Sequence, residues 1–196
     1  MKKPIIAIVL AAVILFAASA GLSGVAQENA AKAHLELMQT LLPGAESFTV
    51  EPYAGEDANI RSVHKAENGF VVETVTYGYA GEITMLIGVN NDGKVTGLVV
   101  RQAHETAGLG NNALTDHEFL AQFLNSAGTF EVAAAGADAF SGATGESAAP
   151  AEGETVSVDA ITGATVTSKA VVRCVNSAVA YVTGADAATE ATSWGG

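Results

Sequence analysis

The chain has 196 residues, a length that accommodates one domain with little left over. Acidic residues outnumber basic ones by 21 to 9, and a surface with a formal net charge of −12 repels nucleic acid. The single cysteine, Cys174, excludes an intramolecular disulfide and any zinc or iron–sulfur site built from several cysteines. Any redox chemistry therefore has to come from a borrowed cofactor.

The N-terminal segment is strongly apolar. No charged residue lies between Lys3 and Glu28. Because about 20 apolar residues in a helix cross a bilayer, we expect residues 1–27 to form a single transmembrane anchor. Lys2 and Lys3 predict a cytoplasmic N-terminus and a main domain on the outer, periplasmic side of the cell membrane. A cleaved signal peptide is the alternative, because residues 18–20 form an acceptable small-x-small cleavage site.

The remainder of the chain is predicted to divide into three parts. Residues 28–44 are predicted to form a post-membrane helix, because their apolar residues have helical spacing. A Pro-Gly pair ends this helix. Residues 45–184 form one domain, within which residues 133–154 are an irregular loop rich in Ala, Gly, Ser, Thr and acids. Residues 185–196 are mostly small and polar, which is typical of a flexible tail.

Three segments of the main domain have the composition of β-strands. They are rich in β-branched and aromatic residues, and they comprise residues 70–77, 82–89 and 94–101. Asp92-Gly93 joins the last two as a hairpin turn. The sequence therefore predicts an α+β domain with a central antiparallel sheet and flanking helices. The stretch from residue 48 to residue 65 has a poor pattern.

Two helices are predicted after the sheet. A short one extends from about Asp116 to Asn125, because Thr115 and Glu118 have the spacing of a capping box. A longer one begins between Thr165 and Ser168, with an apolar stripe formed by Val171, Cys174, Val175, Ala178, Val179 and Val182. This stripe makes the cysteine a buried hydrophobic residue and not a reactive thiol.

The residues at the start of the longer helix are suited to bind an anion. Residues 159–165 read Asp-x-x-Thr-Gly-Ala-Thr, and the first helical turn offers unpaired N–H groups and the positive end of the helix dipole. Small residues allow a phosphate to approach the backbone closely. An ordinary helix N-terminus with hydroxyl caps is the alternative. The residues that we expect at this phosphate site are Thr162, Gly163, Ala164, Thr165, Thr167, Ser168 and Lys169.

This stretch resembles the flavinylation motif of the FMN-binding domain family that RnfG and NqrC share. The resemblance implies that Thr165 is joined to FMN through a phosphodiester bond, which a separate flavin transferase makes. A second copy of the motif, residues 138–144, is not followed by a helix with an apolar face. We therefore assign the flavin to Thr165, and modification of Thr144 as well or instead remains open.

A second stretch carries the same resemblance. Residues 104–110 read His-Glu-Thr-Ala-Gly-Leu-Gly and are similar to the His-x-Glu-Thr-Pro-Gly-Leu-Gly motif of the family, with Ala107 in the place of proline. Glycines let the backbone lie against a flavin ring, a leucine covers a ring face, and polar side chains bond the polar edge. The flavin-contacting residues expected here are Tyr79, Glu105, Thr106, Gly108, Leu109 and Gly110. No residues at metal-ligand spacing accompany them.

The length and the short spacing between motifs look more like RnfG than like the longer NqrC. RnfG-like proteins are subunits of the Rnf complex, which moves electrons between reduced ferredoxin and NAD and couples this transfer to ion export. The resemblance therefore implies an electron-transfer subunit with covalent FMN, other membrane subunits as partners, and no independent catalysis. A stand-alone membrane-anchored extracellular flavoprotein and a non-redox exported acidic domain are the alternatives.

Overall fold

The computed structural model describes residues 29–133 and 155–185. Five strands form an antiparallel sheet in which every strand pairs with its neighbour in sequence, namely β1 (Thr49–Glu51), β2 (Ile60–Ala66), β3 (Gly69–Tyr77), β4 (Glu82–Asn90) and β5 (Val95–Ala103). Two further strands, β6 (Thr129–Val132) and β7 (Thr155–Val158), form a parallel pair. The helices are α1 (29–41), α2 (Leu109–Thr115), α3 (His117–Ala121) and α4 (Thr165–Thr183).

Contacts divide the chain into two compact units, residues 1–37 and residues 38–196. In the first unit the described residues are helical. The second unit contains the sheet, helices α2 to α4 and the candidate site. The finer division of the chain into anchor, helix, domain and tail stays a prediction.

The predicted central sheet is confirmed. Strands β3 and β4 pair over their full lengths, from Gly69 opposite Asn90 to Tyr77 opposite Glu82. The turn from β4 to β5 is closed by the Asn90 side chain, whose Oδ1 accepts from two backbone N–H groups of the turn, at 3.1 and 2.9 Å. Gly93 has a φ of +75° in this turn, a conformation in which a side chain would be strained.

Helix α4 packs on one face of the sheet, against β3 and β4. Its predicted apolar stripe is confirmed, since five of the six residues are buried in the core and Val182 is partly buried against it. The strand residues buried on the same face include Val72, Met85 and Ile87. This packing fixes the axis of the helix and therefore the position of its first turn.

Strands β1 and β2 lie where the sequence pattern is poor. In β2 the buried residues are Ile60, Val63 and Ala66, which are three residues apart, whereas a regular half-buried strand alternates every two. The pairing with β3 shifts between Ile60 and Ser62, as in a β-bulge. The bulge adds one residue between Ile60 and Val63. Val63 and Ala66 are paired regularly and three residues apart, so they lie on opposite faces of the sheet, and the strand fails a test for alternation.

The short helices differ from the prediction. The segment expected as one helix contains α3 alone, and its N-cap is Asp116, whose Oδ1 accepts from Phe119 N at 2.9 Å. Thr115 ends the preceding helix α2, and its hydroxyl donates back to carbonyls of that helix. The capping box predicted from Thr115 is therefore wrong by one residue, because the more strongly capping carboxylate follows it.

The predicted transmembrane helix is corrected by the structure: among the described residues no helix combines the length and the apolar character that crossing a bilayer requires. Helix α4 has 19 residues but carries Lys169, Arg173 and several hydroxyls. The segment predicted as the anchor lies outside the described residues. So do the second motif copy, nearly all of the predicted acidic loop and most of the predicted tail.

Candidate functional site

The predicted phosphate site lies at the start of α4, and Thr165 is the first residue of this helix. The chain enters through a tight turn in which Ala164 N donates to Ile161 O at 2.9 Å. Gly163 has a φ of +80° in this turn, which explains the need for glycine. Ala164 is 5% exposed, so a larger side chain would displace the core beneath it.

Three hydroxyls in the first turn of α4 have different environments. Thr165 is exposed, so its hydroxyl is accessible from outside. Ser168 is fully buried, and its Oγ donates to Ala164 O at 3.0 Å and accepts from Ile161 N at 3.2 Å. Thr167 is 1% exposed, and its Oγ1 has no hydrogen-bond partner among the described residues. Ser168 therefore holds the turn, whereas Thr167 has unused hydrogen-bonding capacity.

The second predicted stretch meets the start of α4. Leu109 and Gly110 are the first two residues of helix α2 and do not lie in the predicted loop. Gly108 precedes the helix and has a φ of +101°. The Leu109 side chain lies against Gly163: a Cβ placed on Gly163 would stand 3.3 Å from Leu109 Cδ2. A Cβ placed on Gly110 would stand 3.1 Å from Thr167 Oγ1. The two motifs thus form one site.

Glu105 and Tyr79 lie next to this site, because the Glu105 carboxylate is close to both Gly110 and the Tyr79 backbone. Glu105 Oε1 accepts from Tyr79 N at 2.7 Å, and Glu105 Oε2 accepts from Ala80 N at 3.3 Å. Tyr79 is 75% exposed and Leu109 is 59% exposed. Two large apolar groups therefore stand in solvent beside the motif, where a planar ring system would bury them.

The remaining predicted residues are at the rim of the site. Thr162, Thr106 and Lys169 are exposed, and Thr106 contributes its carbonyl to the start of α2 by accepting from Asn111 N at 3.3 Å. Helix α4, which is described in full, has no acidic residue in its first turn. A phosphate there would meet the N–H groups, hydroxyls and a lysine and no opposing carboxylate on that turn.

Two residues that the sequence did not single out position the motif. The Gln122 side chain binds both backbone groups of Asp159, with Asp159 N donating to Oε1 at 2.8 Å and Nε2 donating to the Asp159 carbonyl at 3.3 Å. Arg173 Nη2 donates to Tyr77 O at 2.7 Å and so fixes the end of β3 near Tyr79. Neither contact follows from sequence spacing, because each joins segments far apart in the chain.

The site fits the phosphate and ring of FMN. An unpartnered buried hydroxyl, an exposed hydroxyl and a glycine turn lie together at a helix N-terminus, next to two exposed apolar side chains. Cys174 plays no part in it, because burial raises the pKa of its thiol to about 12 and the neutral thiol is unreactive. Within the described ranges no group of His, Cys, Asp or Glu side chains is arranged to hold a metal ion.

A match to a protein family agrees with this fit. Residues 78–180 match the FMN-binding domain family. The G subunit of the Na(+)-translocating ferredoxin:NAD(+) oxidoreductase complex of Acetobacterium woodii is 46% identical over 46 residues, which are 23% of this chain and 22% of that protein. The crystal structure of Shewanella oneidensis NqrC aligns with 70% of this chain and 65% of its own, at 19% identity and a TM-score of 0.44. The family match includes more than half of the chain, which confirms the prediction from the sequence: this chain belongs to the FMN-binding domain family that RnfG and NqrC share.

Proposed function

We propose that this protein carries FMN covalently on Thr165 and acts as an electron-transfer subunit of an Rnf-type ion-translocating ferredoxin:NAD oxidoreductase complex. The observation that supports it most is the position of Thr165, exposed as the first residue of α4, in a turn whose other hydroxyl groups are buried. Membership of the FMN-binding domain family is the reason for proposing FMN as the cofactor. FMN, when bound, accepts and releases electrons, and the protein supplies its binding and orientation.

The described residues divide the work of holding FMN. The first-turn N–H groups, the Thr167 hydroxyl and the Lys169 ammonium stabilise a phosphodiester at Thr165, because all of them are donors or positive charges. Tyr79 and Leu109 bury the ring system, because both are large and exposed beside the motif. None of these groups has to transfer a proton or attack a substrate, so the protein needs no catalytic residue of its own.

The proposed partners follow from the relative that belongs to a multisubunit complex. Similarity to the G subunit of the Acetobacterium woodii complex supports assembly with other subunits of such a complex, at a membrane. A flavin transferase is required to form the phosphodiester. A position of the FMN domain on the outer side of the membrane is part of the same proposal and comes from the sequence expectation.

Peptide mass spectrometry on protein isolated from native membranes tests the attachment. We expect an FMN adduct on the peptide that contains Thr165 and none after Thr165→Ala, with Thr129→Ala as the control because Thr129 is an exposed threonine on β6, outside the site. An adduct confined to the peptide that contains Thr144 would overturn the assignment to Thr165. No adduct at all would leave a non-redox exported domain.

Co-purification tests the assembly. We expect the integral membrane subunits of such a complex to be isolated with the protein in mild detergent. Isolation of the flavinylated protein by itself would instead favour a stand-alone flavoprotein that passes electrons to other acceptors.

A further inference from the structure

The Glu105 carboxylate is directed at the backbone and not at the surface of the site. Its two oxygens accept hydrogen bonds from two consecutive N–H groups, those of Tyr79 and Ala80. These N–H groups belong to the connection between β3 and β4, which is 26 residues away in sequence. A carboxylate with two N–H donors fixes both segments through charge-assisted bonds.

Two glycines make room for this carboxylate. A Cβ added to Gly78 would overlap Glu105 Oε1, and a Cβ added to Gly110 would stand 2.5 Å from Glu105 Oε2. Gly78 lies beside Tyr79 and Gly110 lies beside Leu109 in the chain. The carboxylate therefore lies between the two backbone segments that carry the exposed apolar side chains of the site.

We propose that Glu105 is a positioning residue that binds no part of FMN itself and sets where Tyr79 and Leu109 meet the flavin. The proposal rests on the proposed function and revises the expectation from the sequence that Glu105 bonds the polar edge of the flavin. Its carboxylate joins the β3–β4 connection to the start of α2, and the glycines at residues 78 and 110 are the spaces that admit it.

Amide hydrogen exchange on the cofactor-free protein tests the positioning directly. We expect Glu105→Ala to accelerate exchange at the Tyr79 and Ala80 amides by about tenfold or more, because both lose a charged acceptor. Glu105→Gln retains one carbonyl oxygen, so the Tyr79 amide stays protected and only the Ala80 amide exchanges faster. Glu131→Ala is the control, since Glu131 is an exposed carboxylate on β6, outside the site. Unchanged exchange at Tyr79 in Glu105→Ala would overturn the proposal.

The flavin-loaded protein tests the effect on the cofactor. We expect Glu105→Ala to shift the visible absorption and fluorescence of the flavin, and Gly78→Ala to shift them in the same direction, because the added Cβ displaces an unaltered carboxylate. The flavin spectrum of Glu105→Gln should match that of the wild-type protein. The opposite pattern, in which Glu105→Gln shifts the spectrum as much as Glu105→Ala does, would show direct action of the charge on FMN and overturn the proposal.

Failure of this proposal and failure of the proposed function give different results. Protein without any flavin adduct contradicts the proposed function, and the exchange measurement on the same protein still decides whether Glu105 fixes the β3–β4 connection. If Glu105→Ala does not fold, the same measurements are made on Glu105→Gln and Gly78→Ala. Glu105→Gln leaves the β3–β4 connection unchanged, and Gly78→Ala leaves the carboxylate unchanged.

Discussion

Replacing Thr167 by valine should stabilise the cofactor-free protein while it impairs the attachment of FMN. The hydroxyl is buried beside Gly110 and has no partner among the residues that the structure describes. Valine has the same branched shape, so the change removes an unsatisfied polar group with little loss of packing. A buried hydroxyl without a hydrogen bond costs about 1–3 kcal/mol in proteins, and the variant should gain a free energy of unfolding of that order.

The same substitution should have an unfavourable effect on the attachment of FMN. In the proposed function, a phosphate at the start of α4 would accept a hydrogen bond from the Thr167 hydroxyl. A hydrogen bond to a charged group contributes about 1.5–3 kcal/mol. The loss of that bond should slow flavinylation about tenfold or more. A substitution that raises stability and lowers function marks a group kept for a ligand.

Urea unfolding of protein produced without the flavin transferase measures the first effect, and the yield of FMN adduct with time measures the second. Two neighbours serve as controls. Ser168→Ala removes a buried hydroxyl that has two partners and should cost about 1–3 kcal/mol, since it leaves a backbone N–H unsatisfied. Thr165→Ala removes an exposed hydroxyl and should change stability by about 1 kcal/mol at most. If Thr167→Val destabilised the protein by about 1 kcal/mol or more, its hydroxyl would have a structural partner and the reasoning would be wrong.

Three further predictions concern the frame around the site. Asn176→Ala should lower the free energy of unfolding by about 2–4 kcal/mol, because its amide binds both the N–H and the carbonyl of the buried Phe130, each at 2.8 Å; a loss below about 1 kcal/mol would contradict this. Gly163→Ala should cost about 1–2 kcal/mol from its φ of +80° and should reduce FMN loading by displacing Leu109, as thermal unfolding and adduct yield will show. Burial raises the pKa of Cys174 from 9.0 to about 12, so the thiol of the unfolded chain loses its proton at a lower pH than the thiol of the folded protein. The free energy of unfolding should therefore fall as the pH rises from 9 to 12. In Cys174→Ala, the free energy of unfolding measured across this range should fall less steeply with pH.

The parts of the fold that the sequence predicts are those in which one physical signal dominates. Strands β3 to β5 are rich in β-branched residues, and β4 is buried over seven consecutive residues. The stripe of α4 repeats every 3.6 residues. Strand β2 was missed because a bulge between Ile60 and Ser62 interrupts its alternation and its buried residues lie on both faces. Strands β6 and β7 were missed because each has four residues and pairs with a segment distant in sequence. The predicted transmembrane helix is not among the described helices.

The candidate site shows the same division. The sequence predicts which residues belong to the phosphate site, because a glycine turn, hydroxyls and a helix start follow one another in the chain. It does not predict that Leu109 contacts Gly163, that Gln122 holds Asp159, or that Glu105 is bound by backbone. Those contacts join segments separated by 26 residues or more. Composition and periodicity give information only on residues that are close together in the sequence, so they cannot predict such contacts.

The nearest-neighbour order of the sheet bears on how the protein matures. Because each of β1 to β5 pairs with the next strand along the chain, most sheet contacts form over short loops and do not wait for distant segments. Helix α4 then closes the core with side chains that lie away from the exposed Thr165. The core cluster of the described residues includes neither Tyr79 nor Leu109, so its packing does not depend on the side chains proposed to meet FMN. A modifying enzyme would receive an already folded substrate, with the acceptor hydroxyl presented on its surface.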